Sequence, residues 1–367
     1  MDYLGRIKHL QEDFEAPLKA PDQSMSVDAV YISNLPNVRY LCGFTGSNGA
    51  LLVGAHAAWF LTDGRYRTQA ADEVVGAEVE VYGLPDQLGS ALRRIAGELG
   101  ATRMGFEADH VAVAAAERLK EHFPGAELLP TSGLVEGLRR VKELDELDRI
   151  RMAAQLADEG LAYILGQLRP GITERELAIL LESHMRLEGA EAVSFPAIVA
   201  AAERSALPHA HPSDRVVEHG RFLLFDLGCI VDGYCSDLTR TVVLGHADDR
   251  HREIYELVAL AQQAGLDALQ AGRTGAEVDK AARDVIAEAG YGDAFGHSLG
   301  HGVGIEIHEA PTLRSTSSDV LQAGHVVTVE PGIYLPGWGG VRIEDLTVVT
   351  EGGQETLSRS SKELIVL

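Results

Sequence analysis

The sequence predicts an α+β catalytic domain that follows a smaller α/β domain. Strands and helices alternate through the first third of the chain, which is typical of an α/β domain. The remainder passes from helices to apolar hairpin strands and back again, which is typical of an α+β domain. The 367 residues, 46% of them hydrophobic, are enough for two separate cores.

The amino-terminal α/β domain is predicted over residues 1–132. An amphipathic helix is expected from Arg6 to about Glu15, and further helices after Arg65 and on both sides of the last strand. The first predicted strand, residues 27–33, ends at a turn over residues 34–37. The other predicted strands are the end of the segment 43–53 and residues 57–62, 78–82 and 103–107. The glycines from Gly46 to Gly49 lack the Gly-Lys-Ser/Thr ending of a phosphate loop, so they predict a structural turn. The proline- and glycine-containing segment 128–133 is expected to end the domain.

The catalytic domain is predicted over residues 133–367. It opens with an amphipathic helix over residues 134–168, with a break near Glu143, whose charged residues between 139 and 149 are expected to face solvent. Thr173 and Glu176 predict a capping box that begins the next helix. The remaining predicted elements are helices at residues 249–270 and 274–289, and strands at residues 194–200, 221–225, 326–330, 340–350 and 363–366.

A repeated order of elements indicates an internal duplication within the catalytic domain. In residues 170–244, and again in residues 272–350, a helix is followed by a loop that contains histidine and then by hairpin strands that contain carboxylates.

Residues 222–244 predict a β-hairpin that carries two acidic side chains. Asp-Gly at residues 232–233 is a strong two-residue turn signal between apolar runs. With that turn, Asp237 lies opposite Gly228, and Asp226 lies on the same face as Gly228. The two aspartates are then diagonal neighbours, roughly 7–8 Å apart. Two carboxylates directed into one space repel each other unless a cation lies between them or one is protonated, so the hairpin is a candidate half of a metal site.

Three later segments supply the other candidate donors. Residues 295–309 place three histidines among glycines, Glu330 ends an apolar strand before a turn, and Glu344 shares a predicted strand face with Arg342. Four carboxylates and one imidazole form an oxygen-rich set, which suits two divalent ions roughly 3.5–4 Å apart. Such donors favour Mn2+ or a similar ion over a structural zinc ion bound by thiolates.

Composition limits the classes of partner and the compartment. The formal net charge of -23 argues against nucleic-acid and anionic-membrane partners and favours cationic ligands, such as the free amine of a peptide. No apolar run approaches the roughly 20 residues that span a membrane, and the first residues lack a signal-peptide core. The three cysteines, Cys42, Cys229 and Cys235, lack zinc-binding spacing and predict reduced thiols in a cytoplasmic protein.

The acidic and histidine segments together resemble the creatinase/prolidase/aminopeptidase P family. The residues that match its five metal ligands are Asp226, Asp237, His301, Glu330 and Glu344. Segments 37–47 and 61–66 resemble the amino-terminal domain of compact bacterial members. The resemblance implies a pita-bread catalytic domain and hydrolysis of the Xaa-Pro bond at the amino terminus of short peptides. It also implies two divalent ions per subunit, with Mn2+ favoured and Co2+ or Zn2+ as alternatives, and a homodimer.

The same resemblance assigns a role to each ligand. Asp226 would bind one ion, His301 and Glu330 would bind the other, and Asp237 and Glu344 would bridge both. Glu330 would also act as a general base.

Residues around the ligands match substrate-site positions of the family. His209 and His308 match histidines near the scissile bond, and spacing favours His209 over His211. His297 matches a substrate-site histidine, Phe195 a wall of the proline pocket and Arg342 a supporting arginine.

The preferred reading is an Xaa-Pro dipeptidase, because the compact architecture is more similar to the prolidase branch. An Xaa-Pro aminopeptidase acting on longer peptides is the alternative. A dipeptidase needs a cation for the substrate carboxylate, and the candidates are Arg39, Arg65 and Arg342. The complete ligand set argues against a metal-free amidinohydrolase and against a non-catalytic peptide-binding relative. The long amino-terminal domain argues against a methionine aminopeptidase. A two-metal phosphoesterase is a further alternative, which an assay with a phosphate ester would distinguish.

Overall fold

A computed structural model describes residues 1–12, 14, 26–83 and 85–367 of the chain. The chain divides into two compact units, Met1–Arg139 and Arg140–Leu367. Within the described residues, the helices are too short or too polar to cross a lipid bilayer.

The first unit is built on one mixed six-stranded sheet in the order β4-β3-β2-β1-β5-β6. Its strands are β1 Ala29–Ile32, β2 Ala50–Gly54, β3 Ala58–Asp63, β4 Glu78–Tyr82, β5 Arg103–Glu107 and β6 Glu127–Thr131. Its helices are α1 Tyr3–Glu12, α2 Leu35–Cys42, α3 Arg67–Glu73, α4 Pro85–Glu98, α5 Val113–His122 and α6 Leu134–Arg139. The alternation of strands and helices confirms the predicted α/β architecture.

Three details of the first unit differ from the sequence predictions. The first helix begins at Tyr3, and the predicted end at Glu15 lies outside the described residues. The expected turn after β1 opens α2 instead, because proline is tolerated in the first helical turn and Gly43, with φ +86°, ends the helix. The segment 128–131 forms β6, where proline is tolerated because β6 is an edge strand.

The second unit contains four long helices and four small sheets. The helices are α7 Leu144–Leu165, α8 Glu174–Leu187, α9 Asp249–Ala268 and α10 Gly275–Glu288. The strands of the first half are β7 Ala192–Val193, β8 Ile198–Ala201, β9 Phe222–Leu227, β10 Cys229–Val231, β11 Tyr234–Cys235 and β12 Leu238–Val243. Those of the second half are β13 Gly300–Gly302, β14 Glu309–Leu313, β15 Val326–Val329, β16 Gly332–Leu335, β17 Gly339–Arg342, β18 Asp345–Thr350 and β19 Gly353–Thr356. The sheet orders are β11-β10-β7, β12-β9-β8, β14-β13-β15-β18-β19 and β16-β17.

The two halves of this unit repeat the same construction. Helices α7 and α8 share one apolar core with β8, β9 and β12, and α9 and α10 share another with β15 and β18. In each half the second helix begins with a threonine capping box, at Thr173 and at Thr274. Each of these threonines also forms an antiparallel bridge, to Val216 and to Val320 respectively. The predicted repetition is therefore present in the fold.

The hairpin of the first half has the predicted register. Val231 lies opposite Tyr234, and Asp226 lies opposite Thr239 in the continuation of the same ladder. The turn residues 232–233 have φ values of +47° and +84°, as a type I′ turn requires. This pairing brings Asp226 and Asp237, the residue just before β12, to the same side of the hairpin.

The predicted strand over residues 340–350 is wrong as a single element. The chain leaves β17 at Arg342 and enters β18 at Asp345, and the two strands belong to different sheets. Glu344 therefore lies in a two-residue passage between sheets rather than on a strand beside Arg342. The predicted strand at residues 363–366 is reduced to one bridge, between Val243 and Val366.

The predicted solvated face of residues 139–149 is also wrong in part. The expected break at Glu143 is confirmed, because this residue caps α7. However, Lys142 and Glu146 are buried. Lys142 forms an ion pair with Glu309 at 3.1 Å, and Glu146 accepts a hydrogen bond from the Tyr234 hydroxyl at 2.9 Å. Both charges find polar partners far away in the sequence, which a helical periodicity cannot reveal.

Candidate metal centre

The five predicted ligands come from strand ends and loops of both halves of the second unit. They are Asp226 in β9, Asp237 just before β12, His301 in β13, Glu330 just after β15 and Glu344 between β17 and β18. These residues are mostly shielded from solvent, with relative residue exposures of 2% for Glu344, 6% for Asp237 and 8% for Asp226. Buried carboxylates at this density need partners.

Asp237, His301 and Glu344 converge closely enough to hold one ion. One potential ligand atom from each lies within 4.8 Å of the others. The Nε2 atom of His301 is 3.6 Å from an Asp237 carboxylate oxygen and 3.4 Å from a Glu330 carboxylate oxygen. Glu330 thus belongs to the same cluster, and four of the predicted ligands share one space.

Hydrogen bonding fixes which nitrogen of His301 is available. Its Nδ1 atom lies 3.1 Å from the carbonyl oxygen of Gly302, which can only accept, so Nδ1 carries the hydrogen. Burial lowers the pKa of His301 to about 4, so the ring is neutral and Nε2 presents a lone pair to the carboxylates. The backbone of β13 lies so close to β15 that a Cβ at Gly300 would be 2.0 Å from the carbonyl oxygen of Thr328, so this position requires glycine.

Burial raises the pKa of every carboxyl group in the cluster. For Asp237 and Glu344, burial acts first and neighbouring carboxylates add to it. Burial raises the pKa of Glu330 to about 8. For Asp226, burial also raises the pKa, although the Arg342 guanidinium opposes this effect. A multivalent cation bound among these carboxyl groups would stabilise their ionised forms and so offset the raised pKa values.

The donor set fits divalent metal ions. Oδ1 of Asp226 is buried and has no hydrogen-bond partner within the described residues. An unpartnered carboxylate oxygen and a neutral imidazole lone pair, both near further carboxylates, are suited to coordinate cations. Four carboxylates and one imidazole form an oxygen-rich donor set of the kind that binds divalent metal ions. The three cysteines are free and buried.

Two threonines hold the ligands in position. The Thr239 hydroxyl donates to Glu344 Oε2 at 2.7 Å and accepts from Arg342 Nε at 3.1 Å. The Thr328 hydroxyl donates to Glu330 at 3.2 Å and accepts from the backbone N–H of His301 at 3.1 Å. Each hydroxyl therefore ties a carboxylate to a neighbouring group of the site.

Arg342 organises a second layer of contacts. Its Nη2 atom donates to Asp226 at 2.6 Å, and its Nη1 atom donates to the Tyr334 hydroxyl at 2.8 Å. The Tyr334 hydroxyl is 2.9 Å from Nε2 of His297, whose Nδ1 atom faces the Ser298 carbonyl at 2.8 Å. Because Nδ1 must carry the hydrogen, Tyr334 donates to Nε2. Burial lowers the pKa of His297 to about 4, so its imidazole ring is neutral in this chain of hydrogen bonds.

Tyr334 takes part in this hydrogen-bond network, whereas the sequence alone indicated no more than a packing role for it. The signal is the register of the hairpin formed by β16 and β17, in which Gly332 lies opposite Arg342. Tyr334 is then the diagonal neighbour of Arg342 on the same face. A Cβ at Gly332 would lie 2.6 Å from the Tyr334 hydroxyl, so glycine at this position makes room for the tyrosine.

The predicted substrate-site residues surround the ligands. His209 is exposed, and its charge influences the pKa of Asp226 and of His297. His308 is also exposed, and its ring packs edge-on against that of His301 with centroids 4.4 Å apart. Phe195 is half-buried against Gly228, where a Cβ would lie 3.1 Å from its ring. The carbonyl oxygen of His211 instead accepts from Arg204, away from this network.

Comparison with known proteins gives matches over nearly the whole chain. Residues 148–351 match the metallopeptidase family M24, and residues 18–141 match the creatinase/prolidase N-terminal domain. An Xaa-Pro dipeptidase of Pyrococcus furiosus is 36% identical over 358 residues, which cover 97% of this chain and 100% of the relative.

Two solved structures are similar over all or nearly all of their lengths. An Xaa-Pro dipeptidase from Bacillus anthracis has a TM-score of 0.94 at 44% identity, with 100% of both chains covered. An X-Pro aminopeptidase from Thermotoga maritima has a TM-score of 0.87 at 37% identity, with 93% of this chain and 98% of that chain covered. Similar proteins thus include both a dipeptidase and an aminopeptidase.

Proposed function

The chain belongs to metallopeptidase family M24, with a creatinase/prolidase amino-terminal domain ahead of a pita-bread catalytic domain, and on that basis we propose that it is an Xaa-Pro dipeptidase. The observation that carries this proposal is the buried cluster of carboxylates around the neutral Nε2 atom of His301. The relatives named as Xaa-Pro dipeptidases support the substrate class.

The proposed centre holds two divalent ions, with Mn2+ favoured over Co2+ or Zn2+. Asp226 would be a ligand of one ion, His301 and Glu330 would be ligands of the other, and Asp237 and Glu344 would be ligands of both. When bound, such ions polarise a carbonyl oxygen and make hydroxide available near neutral pH. The unpartnered oxygen of Asp226 and the mutual approach of Asp237, His301 and Glu344 support this assignment.

The chain's own side chains supply proton transfer and orientation. Glu330 is the proposed general base, because its carboxylate lies within the ligand cluster, 3.4 Å from Nε2 of His301, where a metal-bound water would be close to it. His209 and His308 are exposed beside the ligands, where a ring N–H can donate to a developing oxyanion or to the departing nitrogen. Phe195 offers an apolar wall to the proline ring of the substrate.

Proline specificity follows from a missing donor. The nitrogen of an Xaa-Pro bond carries no hydrogen, so a site that pairs with a substrate N–H at this position loses a contact. An apolar wall at Phe195 involves no such loss. The net charge of -23 favours the positively charged amino terminus of the peptide as the ligand group.

The contacts of Arg342 favour a positioning role over direct substrate recognition. This side chain already donates to Asp226, Tyr334, Thr239 and the Pro208 carbonyl. A carboxylate ligand would have to displace these buried acceptors. Arg39 and Arg65 are the other candidates for the substrate carboxylate, although Arg65 pairs with Asp63 at 2.8 Å.

The similarity to the X-Pro aminopeptidase of Thermotoga maritima makes that activity the second candidate. The deciding experiment compares turnover of Ala-Pro with that of Ala-Pro-Ala by protein that has been treated with chelator and then reloaded with Mn2+. A dipeptidase hydrolyses Ala-Pro and leaves Ala-Pro-Ala intact, and an aminopeptidase cleaves the tripeptide. Asp237→Asn serves as the ligand-deficient control. Turnover by verified metal-free protein, or by the Asp237→Asn variant at the native rate, would contradict the proposed centre.

We also propose a cytoplasmic homodimer. Three free, buried cysteines support a reducing compartment, and the dimer is proposed by resemblance to the family. Light scattering on the purified protein tests the dimer directly.

A further inference from the structure

Arg240 lies in β12, next to Thr239, and it is 1% exposed. Each of its five N–H groups has an acceptor. Nε donates to the carbonyl oxygen of Ser361 at 2.9 Å. Nη1 donates to the carbonyl oxygen of Thr239 at 2.9 Å and to that of Glu344. Nη2 donates to Asp345 Oδ1 and to the carbonyl oxygen of Ser360, both at 2.7 Å. A fully satisfied buried guanidinium is a rigid anchor.

Asp345 completes the anchor from the other side. Its Oδ2 atom accepts from Gln262 Nε2 at 2.9 Å and pairs with Lys362 Nζ at 3.0 Å. Lys362 also donates to Gln262 Oε1 at 3.0 Å. The charges of Arg240 and Lys362 therefore meet the buried carboxylate of Asp345 together, and the three groups are locked by hydrogen bonds.

The segment 360–362 is itself held by the helices of the unit. The Asp158 carboxylate in α7 accepts from the backbone N–H of Ser360 at 2.8 Å. The Tyr255 hydroxyl in α9 donates to the carbonyl oxygen of Lys362 at 3.2 Å. Helices from both halves thus fix the segment whose carbonyl groups surround Arg240.

Glu344 needs support of this kind because of where it lies. It occupies the passage between β17 and β18, where strand pairing is interrupted. Its backbone N–H donates to the Thr239 carbonyl at 3.2 Å, and its backbone carbonyl accepts from Arg240. The main chain of a proposed bridging ligand is therefore clamped between two consecutive residues of β12.

We propose that Arg240, Asp345 and Lys362 are positioning residues that set metal affinity by fixing the backbone of Glu344. The proposal rests on the proposed function, because it assigns these groups to the support of that centre. Removing a group that orients a ligand typically costs 10- to 100-fold in metal affinity. A merely structural role would instead lower the stability of the fold and leave the affinity of the folded protein unchanged.

The test begins with Lys362→Met, because the Lys362 side chain is 34% exposed and its loss is tolerable for folding. Calorimetric titration of chelator-treated protein with Mn2+ gives the dissociation constant, and circular dichroism verifies the fold. We expect about tenfold weaker binding for Lys362→Met and recovery in Lys362→Arg, which keeps the charge and the donors. Lys280→Met is the matched control, since it removes a lysine–aspartate pair on the exposed face of α10, and it leaves binding unchanged.

A second variant addresses the centre of the anchor. Arg240→Lys keeps the charge but cannot reproduce five donors in one plane, and we expect 10- to 100-fold weaker binding. If this variant fails to fold, Lys362→Met decides the question. A folded Lys362→Met protein that binds Mn2+ within twofold of the unmodified protein overturns the proposal.

A ligand variant separates this inference from the proposed function. Asp237→Asn removes a proposed bridging ligand and must weaken Mn2+ binding strongly. Unchanged binding by Asp237→Asn refutes the metal centre itself. Weak binding by Asp237→Asn together with native binding by Lys362→Met refutes only the positioning role.

Discussion

Replacing Glu330 with glutamine is expected to stabilise the metal-free protein at neutral pH while it abolishes turnover. Burial raises the pKa of Glu330 from its ordinary value of 4.5 to about 8. Between these values the unfolded chain ionises this group readily, whereas the folded protein still holds the proton. The folded state therefore loses stability as the pH rises through this interval.

The size of the effect follows from the same shift. Each pH unit between the two pKa values contributes about 1.4 kcal/mol. At pH 7 the penalty on the metal-free protein amounts to about 3 kcal/mol, and near pH 4.5 it disappears. Glutamine has no proton to lose in this range. Metal-free Glu330→Gln should therefore exceed the unmodified protein in stability by about 3 kcal/mol at pH 7 and by less than about 1 kcal/mol at pH 5.

Urea denaturation of chelator-treated proteins at the two pH values measures this difference. Glu176→Gln is the control of opposite sign, because hydrogen bonds from the backbone and hydroxyl of Thr173 lower the pKa of Glu176. Stability from that group is present above pH 4.5 and is lost as the pH falls. Adding Mn2+ should reverse the order of the Glu330 pair, because only the unmodified protein keeps the full ligand set. A Glu330→Gln difference that is the same at pH 5 and pH 7 would refute the electrostatic reasoning.

Two further substitutions test the surroundings of the centre. His209→Ala should lower kcat for Ala-Pro by about 100-fold and leave the metal content unchanged. Steady-state kinetics measures kcat, and elemental analysis measures the metal content. A loss of bound metal in this variant would contradict a role beside the scissile bond. Lys142→Met removes the ammonium group that pairs with the mostly buried Glu309 carboxylate and should cost about 3–5 kcal/mol of folding stability. Urea denaturation measures this cost, and Lys142→Met combined with Glu309→Gln should recover part of it; equal losses in the single and double variants would show that the ion pair is not the cause.

Local signals were enough to predict the hairpin and its two aspartates. Asp-Gly at residues 232–233 fixes a two-residue turn, and a two-residue turn fixes the register of both strands. The positions of Asp226 and Asp237 then follow from the alternation of side chains. The capping box at Thr173 was predictable in the same way, because every group of a capping box lies within four residues.

Features that depend on distant partners were not predictable in this way. The passage at Glu344 exists because the two flanking strands pair with different partners, and an apolar run does not show which partner it will meet. Lys142 and Glu146 follow a solvated helical pattern, yet their partners lie 167 and 88 residues away. Tyr334 gains its role from a hairpin register and from the space that Gly332 leaves.

The repeated halves explain why the proposed centre has two buried arginines. Arg240 stands on β12 of the first half and holds the backbone of Glu344 from the second half. Arg342 stands on β17 of the second half and holds the carboxylate of Asp226 from the first half. Each half therefore supplies acidic ligands and the cation that positions an acidic ligand of the other half. Because repulsion between the carboxylates acts across the same boundary, these reciprocal contacts oppose that repulsion in the metal-free protein.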